Sequence, residues 1–389
     1  MTLSQKRLHY QPRIPDILKY PERIRFVPKH LKPVLKTLQP YFPKTFSQPL
    51  HQLEVAPPKQ RKPLVMGVLF SGGPAPGGHN VIWGLSALEN IRLIGFLDGP
   101  SGVIENRFRE ISPQEIASVR NQGGFELIGT GRTKIETSEQ MEAVLRHCMA
   151  HKLDGLVIIG GDDSNTNAAH LAEYFLTKGS KISVIGVPKT IDGDLRSEEI
   201  EISFGFDTAC KTYSELIGNL CRDALSAKKY THFIKLMGRS ASHIALECAL
   251  ATQPNLTLIG EEGNSLGEIV QEMVHLIRKR KAAGKEYGVI LIPEGLIEFI
   301  PEIRSLIGEL NRLGRDVKLL SLSSATLLQS FPEKIQKQLL MDRDPHGNVQ
   351  VSKIDTEEML LSFVKQEIPE LSSQSHFLGY EGRCGFPTN

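Results

Sequence analysis

Two short segments of this chain combine glycine with paired aspartates, and each comes directly after an apolar run. Residues 160–166 (Gly-Gly-Asp-Asp-Ser-Asn-Thr) follow the run 156–159, and residues 188–194 (Pro-Lys-Thr-Ile-Asp-Gly-Asp) follow the run 182–185. Glycine at a strand end lets backbone N–H groups approach a ligand, and the N-terminus of a following helix attracts anions. Four aspartates in such loops suit a phosphate bridged by a metal ion, with a general base beside it. The two segments therefore predict phosphoryl transfer.

The elements that must position these loops alternate along the chain from residue 64 onward. We predict strands at 64–70, 153–159, 182–185, 232–236 and 289–292, and helices at 79–90, about 167–176, 204–225 and from about 242. This alternation indicates βαβ units with mostly parallel sheets covered on both faces. Ligands of such sheets bind beyond the carboxyl ends of the strands. Further glycine-rich or charged segments lie at such ends, at 71–77, 237–239 and 293–295. The sequence thus predicts an α/β fold with one shared site.

Length and composition indicate a globular enzyme with an unusual N-terminal segment. The chain has 389 residues, 40% of them hydrophobic and 23% charged, which is enough for about two domains. Residues 1–63 hold 13 Lys/Arg against 3 Asp/Glu and 11 of the 23 prolines. Proline removes a backbone donor, so this segment is not one long helix. We expect a proline-rich basic arm over 1–63 and two domains over 64–225 and 226–389.

The basic arm leaves two interpretations open. Its net charge is +10, whereas the rest of the chain carries 33 Lys/Arg against 41 Asp/Glu, a net of −8. A nucleic-acid-binding arm is one interpretation, but its basic and aromatic residues do not interleave as a stacking platform requires. An arm that packs against the rest of the protein is the interpretation that we favour, and we expect no nucleic-acid partner.

Cysteine usage and hydropathy indicate a cytoplasmic protein. The cysteines are odd in number and show no CxxC spacing: Cys148, Cys210, Cys221, Cys248 and Cys384. Free thiols in a reducing compartment are expected rather than disulfides or a zinc site. No apolar stretch approaches the ~20 residues that span a bilayer, and no charged-then-apolar signal opens the chain. We therefore expect no membrane association.

Five ordered motifs give the chain a resemblance to a known family. They are 71–77 (Ser-Gly-Gly-Pro-Ala-Pro-Gly), 160–164, 188–194, 237–239 (Met-Gly-Arg) and 293–295 (Pro-Glu-Gly). In this order they resemble the motifs of phosphofructokinases, and their details are similar to the long, pyrophosphate-dependent branch. The segment 379–385 (Gly-Tyr-Glu-Gly-Arg-Cys-Gly) is also similar to that branch. The resemblance runs from about residue 60 to the C-terminus.

The resemblance implies a fold, a reaction and a set of residue roles. The fold is two Rossmann-like parallel-sheet domains, with 64–225 binding pyrophosphate and metal and 226–389 binding fructose 6-phosphate. The reaction is reversible transfer of a phosphoryl group from pyrophosphate to the 1-hydroxyl of fructose 6-phosphate. In the catalytic step Asp192 acts as general base. Asp163, Lys189 and Arg132 are the other residues expected to take part in catalysis. Donor binding falls to Gly72, Gly73, Asp163 and Lys189, and Mg²⁺ binding to Asp162.

The resemblance also implies a sugar-phosphate pocket built from several segments. Its expected residues are Thr190, Ile191, Asp192, Asp194, Lys229, Tyr230, Met237, Gly238, Arg239, Glu294, Tyr380, Glu381, Gly382 and Arg383. Among them, Arg239 is matched to the phosphate and Glu294 to sugar hydroxyls. Lys229 and Tyr230 resemble positions that reach a partner subunit's site, which implies a homodimer with shared sites.

Two positions predict which donor is used. ATP-dependent relatives carry Gly at the place of Asp163 and a small residue at the place of Lys189. A carboxylate at Asp163 would meet the α-phosphate of ATP, and like charges ~4 Å apart repel by about 4 kcal/mol at an effective dielectric of ~20. That is roughly a thousandfold against ATP, whereas the ammonium of Lys189 attracts the leaving phosphate of pyrophosphate. The sequence therefore favours pyrophosphate.

Three further functions stay open beside a pyrophosphate-dependent transferase. One is a nucleic-acid-binding module that uses the basic arm, and it leaves the five motifs unexplained. An ATP-dependent phosphofructokinase is disfavoured by Asp163 and Lys189. A non-catalytic regulatory subunit would be expected to lose the base, yet Asp192 and Asp194 are both present. The chain stops at Asn389 within a motif after which the family continues. We expect either that its C-terminal end is truncated or that the family's final helices are missing by descent.

Overall fold

The chain forms two compact units in the computed structural model. The model describes residues 2–10, 15–29, 36–59, 62–88, 90–198, 200–314, 317–343 and 347–387. The first unit consists of Met1–Thr190, Ser203–Gly205 and Arg383–Asn389, and the second of Ile191–Ile202 and Phe206–Gly382. The final residues Thr388 and Asn389, on which the expected truncation rests, lie outside the described residues.

The first unit alternates strands and helices after an N-terminal ribbon. Its described strands are β1 (Ile24–Lys29), β2 (Leu50–Val55), β3 (Leu64–Ser71), β4 (Ile91–Phe96), β5 (Phe108–Glu110), β6 (Thr130–Gly131), β7 (Gly155–Gly160), β8 (Ser183–Thr190) and β9 (Phe204–Gly205). Its described helices are α1 (Leu3–His9), α2 (Gly78–Ser86), α3 (Pro100–Glu105), α4 (Pro113–Val119), α5 (Ser138–Ala150) and α6 (Asp162–Thr177).

The second unit is richer in helix. Its described strands are β10 (Tyr230–Leu236), β11 (Leu256–Thr257), β12 (Tyr287–Pro293) and β13 (Ser373–Leu378). Its described helices are α7 (Phe206–Ala227), α8 (His243–Thr252), α9 (Leu266–Ala282), α10 (Leu296–Phe299), α11 (Pro301–Leu313), α12 (Leu322–Ser330), α13 (Glu333–Met341) and α14 (Thr356–Glu367).

The sheet of the first unit brings three strand ends to one edge. Its order is β5-β4-β3-β7-β8-β9, with β6 beside the end of β3, and every pair is parallel except β4 with β5. Phe70 of β3 pairs with Ile159 of β7, and Gly160 pairs with Pro188 of β8. Strand β7 is buried along its whole length, because its apolar run is covered on both faces. The loops after β3, β7 and β8 therefore share one edge.

Two apolar clusters cover the opposite faces of this sheet. Leu69 and Ile158 pack with residues of α5 and α6 in one cluster. Phe70 and Ile159, the next residues along the same strands, pack with residues of α2 and α4 in the other. Successive side chains of a strand point to opposite faces, so the helices sandwich the sheet as the predicted α/β fold requires.

The second unit has a smaller parallel sheet of order β11-β12-β10-β13. Leu236 of β10 pairs with Pro293 of β12 and with Leu378 of β13. Phe233 and Ile290 belong to one large core cluster with apolar residues of α9, α11 and α14. The segments that follow β10, β12 and β13 consequently start side by side.

The predicted α/β class with parallel sheets is confirmed, and several element boundaries differ from those expected. Strand β8 continues through Lys189 to Thr190, which the sequence placed in a loop, because β9 pairs with Lys189 and Thr190 and extends the sheet. Helix α6 begins at Asp162 rather than near 167, and α2 ends at Ser86. Helix α7 lies in the second unit, whereas the predicted division at 225 placed it in the first.

The described part of the N-terminal arm packs against the first unit. Strands β1 and β2 pair as an antiparallel ribbon. The buried carboxylate of Glu173, on α6, accepts hydrogen bonds from the backbone N–H groups of Lys44 and Thr45 and from the Thr45 hydroxyl at 2.8–3.0 Å. The carbonyl of Tyr10 accepts from Arg120 Nη2 and Asn121 Nδ2 at 3.1 Å. Through these contacts the arm is anchored at two places.

Each of the five cysteines is a free thiol. Within the described part of the chain, none of the helices combines the length and apolarity that crossing a membrane would take.

Candidate active site

The end of β3 forms a glycine turn that is open to a ligand. Gly72 has φ +84°, a left-handed conformation that favours glycine. Its N–H donates to the carbonyl of Gly131 at 2.9 Å, and the Thr130 hydroxyl donates to the Gly72 carbonyl at 2.7 Å. Strand β6 thus fixes the turn, and the exposed Arg132 follows β6 directly.

Two cations lie against this glycine pair. A β-carbon added at Gly72 would lie 3.6 Å from Lys189 Nζ, and one added at Gly73 would lie 3.3 Å from the guanidinium carbon of Arg383. Lys189, the penultimate residue of β8, is only 7% exposed, because β9 pairs with it and extends the sheet. Because glycine has no side chain and two cations are adjacent, this turn is suited to binding an anion. The structure thereby brings Arg383, expected in the sugar-phosphate pocket, to the predicted donor-binding glycines of the first unit.

The start of α6 carries two exposed carboxylates. Gly161 is the N-cap, and Asp162 and Asp163 are the first helical residues, both exposed. Asp163 forms an ion pair with Lys134 at 3.6 Å, and the Asp163 side chain is 73% exposed. Helix N-termini attract negative charge, so this position holds the carboxylates without burying them.

The loop between β7 and α6 is held by short polar contacts. The Ser164 hydroxyl donates to Ser71 Oγ at 2.8 Å, which joins the loop to the end of β3. Asn165 Nδ2 donates to the carbonyls of Gly160 and Gly161 at 2.8 Å. A β-carbon at Gly160 would lie 2.4 Å from the Ser164 side chain. Only glycine fits there, so the position of Asp162 and Asp163 is set by the backbone.

A metal ion at this edge would have one or two protein carboxylates. No group of three or more His, Cys, Asp or Glu side chains suited to a metal occurs among the described residues. Mg²⁺ in phosphoryl-transfer sites is usually held by one or two carboxylates together with substrate phosphates and water. The exposed carboxylate of Asp162 fits this pattern, whereas a dedicated protein cage does not.

In the second unit, the loop after Ile191 presents Asp192 beside the end of β10. The backbone N–H of Arg239 donates to Asp192 Oδ2 at 3.4 Å. Gly193 has φ +73°, and a β-carbon there would lie 2.8 Å from the Phe206 ring. Ile191 is buried and Asp194 is exposed. Glycine is required between the two aspartates, and it turns them to different environments.

The ends of β10 and β12 are bound together around a buried carboxylate. Glu294 is 3% exposed, and its Oε2 accepts from the backbone N–H of Gly238 at 3.0 Å. The Gly295 N–H donates to the Gly238 carbonyl at 3.1 Å. A β-carbon at Gly295 would lie 2.1 Å from the Arg239 carbonyl oxygen. The predicted segments 237–239 and 293–295 therefore meet in the structure.

Burial raises the pKa of the Glu294 carboxyl above its ordinary value. The Gly238 N–H and the cations Lys235 and Arg239 oppose this rise, whereas the negative charge of Asp192 adds to it. The sign of the Asp192 contribution means that the two carboxylates share one electrostatic environment. A buried carboxyl whose pKa is raised, with a second carboxylate nearby, is typical of functional sites.

The segment after β13 lies next to the end of β10. The Met237 N–H donates to the Leu378 carbonyl at 2.9 Å, and the Gly379 N–H donates to Glu381 Oε2 at 2.7 Å. Tyr380 is 70% exposed, and Gly382 packs against Tyr213 of α7. The structure thus places Tyr380, Glu381 and Gly382 beside the predicted sugar-phosphate residues of the same unit.

Lys229 and Tyr230 lie at the opposite end of β10 from Met237. The strand has seven residues, which at ~3.3 Å per residue separates its two ends by about 20 Å. The ammonium of Lys229 lies 4.8 Å from the centre of the Tyr230 ring, and Tyr230 has φ +70°. An aromatic residue with positive φ is an outlier that often marks a functional position. The structure does not bring this pair to the other predicted residues of its own chain.

Sequence reasoning missed polar residues inside the second unit. Lys235 is 2% exposed on β10, and its ammonium donates to the Ile354 carbonyl at 2.9 Å and lies 3.0 Å from the Glu357 carboxylate. His232 Nδ1 lies 2.8 Å from His376 Nε2 on the neighbouring strand. A lysine within the apolar run of β10 was the available signal, because a buried charge requires a partner.

Comparison with known proteins places the chain in a family. Residues 65–342 match the family described as Phosphofructokinase. The chain is 47% identical to "Pyrophosphate--fructose 6-phosphate 1-phosphotransferase" of Treponema pallidum, over 100% of this chain and 76% of the relative. It is 50% identical to "Pyrophosphate--fructose 6-phosphate 1-phosphotransferase subunit beta 1" of Arabidopsis thaliana, over 90% of this chain and 67% of that relative.

A solved structure supports the same assignment at the level of the fold. The structure of Pichia pastoris phosphofructokinase in the T-state matches with a TM-score of 0.59 at 17% identity, over 83% of this chain and 31% of that one. The family match extends over most of the chain, and it contains the ends of β3, β7, β8, β10 and β12, where most of the candidate site residues lie. This chain therefore belongs to the phosphofructokinase family.

Proposed function

We propose that the chain transfers a phosphoryl group from pyrophosphate to the 1-hydroxyl of fructose 6-phosphate, reversibly and with Mg²⁺. The products are fructose 1,6-bisphosphate and phosphate. The relatives described above carry this activity in their names. The observation that carries the proposal is the pair Asp163 and Lys189. Asp163 is exposed at the start of α6, and Lys189 is buried beside Gly72.

Asp192 is the general base of the proposed reaction. Its carboxylate accepts the proton of the sugar 1-hydroxyl as that oxygen attacks the phosphorus atom, and the bond from phosphorus to the bridging oxygen of pyrophosphate breaks. An aspartate side chain in water is ionised at neutral pH, so it is able to take up this proton. The Arg239 N–H holds one carboxylate oxygen, which orients the base.

Lys189 and Arg383 neutralise the donor. Both cations lie against the glycine pair 72–73, where a phosphate approaches the backbone most closely. The negative charge of the departing phosphate is stabilised by such positioned cations, which is the main contribution of proteins to phosphoryl transfer. Arg132, at the end of β6, provides a planar guanidinium for the transferred group.

Asp162 would hold the magnesium ion, through its exposed carboxylate at the helix start. When bound, the ion supplies neutralisation of phosphate charge. The position of Asp162 in the first turn of α6, directly after the N-cap Gly161, supports this role.

Asp163 excludes ATP by its charge. At an effective dielectric of ~20, an α-phosphate ~4 Å away would be repelled by about 4 kcal/mol. Because the Asp163 side chain is 73% exposed, solvent screens this repulsion. We therefore expect a preference for pyrophosphate of about 10- to 1,000-fold. The upper limit corresponds to the unscreened repulsion, and screening by solvent lowers the preference toward the lower limit.

The proposed active form is a cytoplasmic homodimer. Lys229 and Tyr230 bind the sugar phosphate held by the partner subunit, which explains why a strained, cationic turn lies about 20 Å from the other sugar-binding residues along β10. The sugar phosphate of each subunit is then held by Arg239 from its own chain and by this pair from the other.

The proposal is tested by assaying the purified chain with fructose 6-phosphate, Mg²⁺ and either pyrophosphate or ATP. We expect kcat/KM to be about 10- to 1,000-fold higher with pyrophosphate. The Asp16→Ser variant, altered in the arm at a side chain that is 93% exposed, serves as a handling control with unchanged activity. Equal or preferential use of ATP would refute the donor assignment, and inactivity with both donors would refute the proposal as a whole.

A further inference from the structure

A polar turn at residues 120–124 is joined to helix α2 directly after the predicted donor-binding loop. The Asn80 side chain, in the first turn of α2, donates from Nδ2 to Asn121 Oδ1 at 3.0 Å, and the Asn121 N–H donates to Asn80 Oδ1 at 2.8 Å. Helix α2 begins at Gly78, the residue after the loop 71–77. The 120–124 turn is therefore held next to the start of the helix that follows this loop.

The segment that follows Arg383 packs against the same turn. A β-carbon added at Gly123 would lie 2.3 Å from the carbonyl carbon and oxygen of Cys384. Because glycine has no β-carbon, the two backbones are able to touch here. The guanidinium carbon of Arg383 lies 3.3 Å from a β-carbon built at Gly73. The backbone contact at Cys384 thus holds the base of the Arg383 side chain near the donor-binding glycines.

Tyr10 of the N-terminal arm contacts both the turn and the segment after Arg383. Its carbonyl accepts hydrogen bonds from the side chains of Arg120 and Asn121 at 3.1 Å. Its ring meets the ring of Phe386 edge-on, with centroids 5.5 Å apart and planes at 79°. Edge-to-face aromatic pairs at this distance stabilise a structure beyond the area that they bury. Tyr10 therefore connects the arm to the chain that carries Arg383.

Little regular secondary structure supports the chain beyond Arg383. Residues 380–383 form a single turn of 3₁₀-helix, and residues 384–387 belong to no helix or strand. An arginine side chain has many rotamers, so its guanidinium is localised at a ligand only when its backbone is fixed. The aromatic contact of Phe386 with Tyr10, three residues further along, is suited to fixing that backbone.

We infer that Tyr10 is a positioning residue of the donor site, because its contact with Phe386 holds the chain so that the Arg383 guanidinium stays beside Gly73. The inference rests on the proposed function, in which Arg383 neutralises the donor. It gives the N-terminal arm a function in addition to packing. Since Tyr10 acts through Arg383, it affects the affinity for the donor rather than the proton transfer to Asp192.

The first experiment removes the Tyr10 ring and measures steady-state kinetics with both substrates varied. Tyr10→Ala should raise the KM for pyrophosphate about three- to tenfold, which is the factor that an aromatic pair contributes to an equilibrium. The kcat and the KM for fructose 6-phosphate should stay within about twofold of the wild type, because the loss concerns binding of the donor. Tyr10→Phe keeps the ring and should retain the normal KM.

Tyr41→Ala is the matched control, at a tyrosine of the same arm that is 68% exposed, and it should leave all three constants unchanged. An unchanged KM for pyrophosphate in Tyr10→Ala would overturn the inference. Equal effects of Tyr10→Ala and Tyr41→Ala, or of Tyr10→Ala and Tyr10→Phe, would overturn it as well.

Double variants test whether Tyr10 acts through Phe386 and Arg383. Arg383→Gln removes the cation, so in this background Tyr10→Ala should raise the KM for pyrophosphate no further. Phe386→Ala should match Tyr10→Ala, and the two together should have no larger effect than either alone. Additive effects in either pair would show that Tyr10 acts by another route, which contradicts the inference.

The thiol of Cys384 reports on the position of the segment without ligand or turnover. Cys384 is the most exposed of the five free cysteines, and its Sγ lies 3.9 Å from a β-carbon built at Gly124. A loosened segment opens more often, so an uncharged thiol reagent should modify Cys384 about three- to tenfold faster in Tyr10→Ala. Tyr41→Ala should react at the wild-type rate, and the reaction should be lost in Cys384→Ser. Equal rates in Tyr10→Ala and the wild type would refute the inference.

The inference and the proposed function fail separately. A chain in which Tyr10→Ala speeds labelling of Cys384 and weakens calorimetric binding of pyrophosphate, but which transfers no phosphate, retains the positioning role and loses the function. A chain that uses pyrophosphate with the same KM in the wild type and in Tyr10→Ala retains the function and loses the positioning role.

Discussion

At the residues predicted to bind the two ligands, the first unit buries a cation and the second unit buries a carboxylate. In the first unit the cation Lys189 is 7% exposed, while the carboxylates of Asp162 and Asp163 are exposed at the start of α6. In the second unit the carboxylate of Glu294 is 3% exposed, while the guanidinium of Arg239 is exposed. A buried charge is fixed in place and weakly screened, whereas an exposed one is mobile and screened by solvent.

This difference matches the ligands that the two units are proposed to bind. Pyrophosphate carries several negative charges, so a buried cation attracts it, and exposed carboxylates remain able to bind a metal ion or reject a bulkier anion. Sugar hydroxyls are neutral donors, and a buried carboxylate accepts their hydrogen bonds in a fixed direction. The charge buried at the predicted site residues, Lys189 in the first unit and Glu294 in the second, therefore fits the ligand proposed for that unit.

The largest effect is expected at Asp192, the proposed general base, which lies in the second unit together with Glu294 and Arg239. Asp192→Ser should lower kcat by about 10²–10⁴-fold, because a general base contributes that much, with little change in the KM of either substrate. Steady-state kinetics with both substrates varied give the two constants. A variant with more than a tenth of normal kcat would remove Asp192 from the role of base.

The exposed and buried charges of the first unit should act together on donor choice. Replacing both Asp163 and Lys189 by glycine should shift the preference between pyrophosphate and ATP by roughly 10- to 1,000-fold toward ATP. The shift should be non-additive, since both side chains would contact the same phosphates. Ratios of kcat/KM for the two donors provide the measurement, and thermal unfolding checks that the double variant is folded.

Lys134→Ala is the matched control for this experiment. It removes the ion-pair partner of Asp163 at 3.6 Å but leaves both donor-selecting side chains in place. Its donor ratio should stay within about twofold of the wild type, because exposed ion pairs contribute little. A folded double variant that gains no use of ATP would locate donor selection elsewhere.

Replacing the buried carboxylate of Glu294 should weaken the binding of the sugar phosphate. Glu294→Gln should raise the KM for fructose 6-phosphate roughly 10- to 100-fold, because hydrogen bonds to a charged group contribute about 1.5–3 kcal/mol. Titrating initial rates against fructose 6-phosphate gives this constant. An unchanged KM would exclude contact between Glu294 and the sugar.

The same substitution should alter the pH dependence of stability. Because burial raises the pKa of Glu294 above 4.5, the folded state retains the proton to higher pH than the unfolded chain does. Its contribution to stability is therefore present at low pH and is lost as pH rises from about 4.5 through the raised pKa. Melting temperatures from pH 5 to 8 should fall less for Glu294→Gln than for the wild type, and parallel curves would contradict this.

The smallest effect on turnover is expected at Glu173, at the far end of the helix that begins with Asp162. Glu173→Ala leaves the part-buried N–H groups of Lys44 and Thr45 without their acceptor, at a cost of about 1 kcal/mol. Limited proteolysis should cut the arm faster, while kcat stays within about twofold of the wild type. A large loss of activity would show that this part of the arm contributes to the site.

Much of the site was determined by the sequence itself. Glycine and aspartate after apolar runs placed Gly72, Asp162, Asp192 and Glu294 at strand ends, and parallel strands necessarily bring such ends to one edge within a sheet. The α/β class followed from the alternation of strand and helix lengths. These features are local, because strand formation and turn geometry depend on neighbouring residues.

The tertiary structure alone decided how the charges are buried and paired. Lys189 is buried because β9 extends β8, and Glu294 is held by Gly238, a residue 56 positions earlier in the chain. Arg383 lies against Gly73 although the two are far apart in sequence. No periodic pattern in the sequence predicts such contacts. Burial and long-range hydrogen bonds are properties of the folded, packed protein. A single sequence therefore identifies the charged residues but does not predict the surroundings of each side chain.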